Sequence, residues 1–108
     1  MQPDLFSVVP VVDHAQVDRL MQALTGRGWV LRRQLEQQLG IGDRMLRACA
    51  SESEGRVISG QRGYCLIEEA TVEDANHAAA WLERQAKAMA QRSAEIRRAM
   101  HRRVSSAA

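Results

Sequence analysis

No apolar run in this 108-residue chain approaches the 18 or so residues of a membrane-spanning helix, and the N-terminus has neither a basic start nor an apolar leader core. A cytoplasmic protein with no membrane partner is expected. The two cysteines, Cys49 and Cys65, are too few for a disulfide scaffold and sit in an ordinary cytosolic composition, so both are expected as thiols. The two prolines both fall within the first twelve residues, which leaves the rest of the chain free of that helix breaker. Lysine is nearly absent, since fourteen of the fifteen basic side chains are arginine. That preference suits bidentate phosphate or base recognition, although a GC-rich coding sequence produces the same bias. Nucleophile elbows, phosphate-binding loops, dinucleotide fingerprints and paired catalytic carboxylates are all missing, so no enzyme, cofactor or small-molecule ligand is expected. His14, His77 and His101 are scattered and share no zinc spacing with the cysteines, which argues against a metal site.

What is present is a composition of 45% hydrophobic and 26% charged residues, that of a single small folded domain. The formal net charge of +2 hides an asymmetry. Residues 1–83 hold 8 basic and 12 acidic side chains, whereas residues 84–108 hold 7 basic and 1 acidic.

Residues 1–12 have no helical period and read as an extended arm. Asp13 opens a first helix: with Gln16 it has capping-box spacing, and Val17, Leu20, Met21 and Leu24 follow at i, i+3, i+4 and i+7. Gly26-Arg27-Gly28 ends that helix near Thr25, and Trp29-Val30-Leu31 reads as a very short β segment. Leu35 and Leu39 mark a second helix closed by Gly40. A third begins near Asp43 after the turn Ile41-Gly42, and is expected to reach about Glu54 before Gly55. Arg56-Val57-Ile58-Ser59 and Tyr64-Cys65-Leu66-Ile67, separated by Gly60-Gln61-Arg62-Gly63, give a β-hairpin with a basic tip. Thr71 and Asp74 have capping-box spacing, and from Val72 to about Arg103 nothing interrupts a helix-favouring sequence, so one helix of roughly 48 Å is expected. Residues 105–108 read as a disordered tail. Trp29 and Trp81 are expected as core anchors, Trp81 packing the long helix against the preceding helices.

The order helix, short strand, helix, tight turn, helix, hairpin, together with the residues Leu35-Glu36-Gln37-Gln38-Leu39-Gly40-Ile41-Gly42-Asp43-Arg44-Met45-Leu46-Arg47, resembles the bacterial winged helix-turn-helix regulators. It is most similar to the small winged-helix proteins of phage and mobile-element genes. The resemblance covers about residues 13–67, with Gly60-Gln61-Arg62-Gly63-Tyr64 as the wing. It implies a mainly α fold with a small β-hairpin (α+β): a winged helix-turn-helix domain at 13–70, followed by a long C-terminal helix at 71–104. It also implies binding to double-stranded DNA, with the helix at about 43–54 in the major groove and the wing at 56–67 on the adjacent groove or backbone. Leu35, Leu39, Ile41 and Leu46 then fix the angle between the two helices. Arg44, Arg47 and Ser51 become the candidates for base contacts, Arg32 and Arg33 for phosphate, and Gln61 and Arg62 for the wing contact. Two positions depart from the family pattern, for Leu31 and Gly42 stand where such proteins usually carry side-chain helix caps. Arg47 has an alternative partner in Asp43 or Glu54.

The long helix carries Ala75, Ala79, Leu82, Ala86, Met89, Ile96 and Met100 at alternating spacings of four and three, with Ser93 and Arg103 in register. That heptad predicts a coiled-coil seam or an antiparallel helix pair, with a homodimer through this helix as the expected partner. The alternative is that its first turns cap the domain core and the rest frays. An antiparallel dimer would set the basic end against acidic positions such as Glu68, Glu69, Glu73, Asp74 and Glu83 of a second chain. Alternatively the basic end is a solvated face or adds non-specific phosphate attraction. The expected role is a transcriptional or phage-type regulator. The competing expectation is a non-enzymatic interaction module that assembles a protein complex through the same face and the long helix.

Overall fold

The computed structural model describes residues 11–106; the expected arm lies outside the described residues up to Pro10. The chain is mainly helical, with one two-stranded antiparallel hairpin and a long C-terminal helix. It divides into two compact units, Met1–Ala75 and Asn76–Ala108.

In the first unit, α1 spans His14–Leu24. Asp13 caps it as the sequence predicts: its carboxylate accepts from the Gln16 N–H at 2.8 Å, and the Gln16 side chain accepts from the Asp13 N–H at 3.0 Å. After the turn at Gly26 and Gly28, the predicted short β segment is reduced to Val30, which exchanges two backbone hydrogen bonds of 2.9 Å with Tyr64. The second helix, α2, spans Arg32–Leu39 and ends on Gly40 in the left-handed conformation. The third, α3, spans Asp43–Ser51. Neither Leu31 nor Gly42 supplies a side-chain cap, as their residue types dictate.

Helix α3 is shorter than expected. The chain leaves it at Ser51 because Ser53, fully buried, turns its hydroxyl back to donate to the Ala50 carbonyl at 2.6 Å and accepts the Val57 N–H at 3.0 Å. Glu54 and Gly55 then both take positive φ, at 57° and 82°, which reverses the chain into the hairpin. Strands β1 (Val57–Gly60) and β2 (Gly63–Leu66) pair from Val57 opposite Leu66 to Gly60 opposite Gly63, leaving Gln61 and Arg62 as a two-residue loop. Gly63 is obligatory, with φ at 109°. A Cβ there would lie 2.0 Å from the Val30 carbonyl oxygen, inside the Val30–Tyr64 bridge.

Leu20, Leu24, Leu35, Leu46 and Cys49 are fully buried in one core with Val30, Val57 and Tyr64, and Leu39 and Ile41 pack against its edge. Both cysteines are free and buried, as expected, and burial pushes each thiol above its ordinary pKa.

Helix α4 spans Val72–Ser106, so Ser105 and Ser106 are helical and the expected tail is confined to residues outside those described. It buries no residue, and Trp81, expected as an anchor, is 51% exposed. No helix of the described residues is long and apolar enough to cross a membrane.

Candidate nucleic-acid interface

The α3 sequence is amphipathic at helical spacing. Leu46 and Cys49 enter the core, and that anchoring turns Arg44, Arg47 and Ser51 outward together, all three exposed. Arg32 and Arg33 are exposed in the first turn of α2, where the backbone N–H groups and the helix dipole favour anions. One carboxylate connects these two helices. Asp43, in the first turn of α3, lies 3.2 Å from the Arg47 guanidinium through one oxygen and 3.6 Å from that of Arg32 through the other. Arg32 also reaches Glu36 at 3.6 Å. Of the two partners considered for Arg47, Asp43 is the one it meets. The link from Asp43 to Arg32 was not visible in the sequence, because it depends on the angle between α2 and α3.

The hairpin loop is arranged differently from a free basic tip. Gln61 is exposed, but Arg62 folds back: its guanidinium lies 4.8 Å from the Trp29 ring centroid and donates to Asp74 at 2.8 Å. Trp29 is correspondingly not a core anchor. It is part-buried, its ring rests beside Gly60, where an added Cβ would come within 3.2 Å, and its indole N–H donates to the other Asp74 oxygen at 3.3 Å. Partial burial by itself raises the Asp74 pKa, but the Thr71 hydroxyl, the Trp29 indole and the Arg62 charge together hold it below the usual carboxylate range. The Thr71–Asp74 pair expected to cap α4 is in place, and its carboxylate does further work. The Asp74 N–H donates to the Thr71 hydroxyl at 3.0 Å, while the Asp74 carboxylate serves Trp29 and Arg62.

A second carboxylate is committed in the same unit. Glu69 accepts from the Gly26 N–H at 2.7 Å and the Gly28 N–H at 2.9 Å, pinning the turn between α1 and α2, and these donors lower its pKa. Glu69 and Asp74 are thus engaged within the chain. Composition gave no hint of either role; the only signal was a glycine pair that leaves exposed N–H groups in a tight turn.

Among the described residues, no group of three or more His, Cys, Asp or Glu is arranged to hold a metal ion. No protein-family model, curated protein or solved structure matches the chain.

Proposed function

We propose that residues 13–70 act as a winged helix-turn-helix module that binds double-stranded DNA, in the manner of a small cytoplasmic transcriptional or phage-type regulator. The observation that carries this reading is the shared exposed face of Arg44, Arg47 and Ser51 on a helix whose opposite face is locked into the core. A rigid helix with that face outward suits a major groove about 12 Å wide, where arginine donates two hydrogen bonds to guanine O6 and N7. Arg32 and Arg33, one helix away, fit phosphates flanking such a site. The Asp43 pairs do not oppose this use. Exposed ion pairs of 3.2 and 3.6 Å contribute about 0–1 kcal/mol, less than the roughly 1–3 kcal/mol of discrimination from one good arginine–guanine pair. Asp43 also repels phosphate, which weakens sequence-blind binding and leaves more of the affinity to base contacts.

A second reading rests on a specific observation. Arg32, Arg47 and Arg62 each already face a carboxylate of the same chain, so the face is closer to neutral than its arginine count suggests. A module that assembles protein complexes would look like this.

Selection from random duplex DNA across a salt series separates the two. The DNA reading expects an enriched motif, with Arg44→Ala and Arg47→Ala each costing about 1–3 kcal/mol and relaxing specificity at a defined base pair. Sequence-blind binding that vanishes by physiological salt and is insensitive to both substitutions would remove it. The basic end of α4 would then account for the binding, and the assembly reading would stand.

A further inference from the structure

Helix α4 carries an apolar face of large side chains: Leu82, Met89, Ile96, Met100 and Val104 are each more than half exposed. At about 3.6 residues per turn, these five fall within roughly 80° of arc, and Ala78, Ala86 and Ser93 complete a strip without a single charge. Val104 takes the place that a strict heptad assigns to Arg103, so that Ala78, Met89 and Met100, like Leu82, Ser93 and Val104, recur every eleven residues. That period keeps the strip nearly parallel to the helix axis, with a slight right-handed drift.

We propose that this strip is covered by the same strip of a second copy, antiparallel, about a two-fold axis level with Gln91. Reversing the helix about that point makes the strip its own complement. Leu82 meets Met100 directly, and every other large side chain meets a small one: Val104 against Ala78, Ile96 against Ala86, and Met89 against Ser93. On one flank Glu83 falls opposite Arg97 of the second copy, twice by symmetry, and on the other Trp81 falls opposite Arg103 of the second copy. A parallel pair is opposed by charge. It would set Arg92 of each copy against Arg97 of the other across the flanks of the seam, whereas the antiparallel pair gives Arg97 the Glu83 carboxylate and leaves Arg92 facing its own copy beside the axis. A strip free of charge is also no phosphate surface, so nucleic acid does not compete as its occupant.

The test is the mass of the full chain by light scattering and sedimentation equilibrium over a wide concentration range. The expected result is a reversible monomer–dimer equilibrium. Leu82 is exposed in the single chain and lies outside the core of the first unit, so Leu82→Glu should leave the cooperative denaturation of that unit unchanged while shifting dimerisation to at least ten-fold higher concentration. Met100→Lys should do the same. Both substitutions in one chain should restore the dimer, because antiparallel pairing sets each new carboxylate against a new ammonium, and parallel pairing sets like against like. A mass that stays monomeric at all concentrations, an assembly larger than a dimer, a Leu82→Glu chain that dimerises unchanged, or a double variant left monomeric would each overturn the proposal.

Discussion

The two units solve opposite problems with similar residues. In the first, leucines at helical spacing converge on one core, and the polar groups stranded at its turns are matched one by one: Ser53 to Ala50 and Val57, Glu69 to Gly26 and Gly28, Asp74 to Trp29 and Arg62. In the second, leucine, methionine and isoleucine lie along a single helix that buries none of them. An isolated helix draws most of its stability from packing its apolar face, and on α4 the large side chains of that face, Leu82, Met89, Ile96 and Met100, stay exposed. The contrast shows that hydrophobic spacing reports which face is apolar, and only the packing around it reports whether the chain has used that face.

Truncating one leucine in each unit should break the symmetry most sharply. Leu46→Ala opens a cavity in a fully buried site and is expected to cost about 2–5 kcal/mol in chemical denaturation. Leu82→Ala, at 60% exposure, should change the stability of the monomeric chain by no more than about 0.5 kcal/mol. Equal losses would mean that α4 is covered within its own chain. Next in size is Gly63→Ala, which adds a Cβ where 2.0 Å separates it from the Val30 carbonyl and forces an alanine to φ 109°. Backbone strain of this kind costs about 1–3 kcal/mol, and relief requires giving up the Val30–Tyr64 bridge. Loss of protection at the Val30 and Tyr64 amides in hydrogen exchange should accompany the drop in stability, while exchange along α4 beyond Ala75 stays unchanged.

How much of this was legible in the sequence follows the same division. Elements set by local chemistry came through: the Asp13–Gln16 box, the stop at Gly40, the hairpin with Gln61-Arg62 at its tip, and the uninterrupted α4 were all written in short-range spacing. The end of α3 was not, because Ser53 acts through a buried hydroxyl shared with Val57, and serine at that spacing has no distinctive signature. The outward set of Arg44, Arg47 and Ser51 was readable from periodicity, since Leu46 and Cys49 determine it. The fate of Arg62 was not. Its position over Trp29 and against Asp74 joins residues brought together only once Val30 is paired with Tyr64 and α4 has begun. Tryptophan at a plausible spacing reads as core, but the Trp29 indole N–H takes Asp74 as a polar partner and Trp81 lies half-exposed on a helix that buries no residue.

The smallest of these effects is confined to one turn of the first unit and is resolved by pH. Glu69 accepts from Gly26 and Gly28, and these donors hold its carboxyl below the ordinary glutamate range of about 4.3, so the folded state favours the ionised form. The sign follows from linkage. A carboxyl whose folded pKa is depressed contributes stability that is complete above the unfolded value, and this contribution is lost as the pH falls through the folded one. Glu69→Gln is therefore expected to be less stable than the native chain at neutral pH, with the difference closing as both are acidified below that range. The Gly26 and Gly28 amide resonances give the direct readout, since in the native chain they should shift with a shared midpoint below about 4.3 and in the variant should not shift with it. Amides that titrate identically in both proteins would show that another group anchors the turn, and would leave the first unit less self-contained than its hydrogen bonds make it.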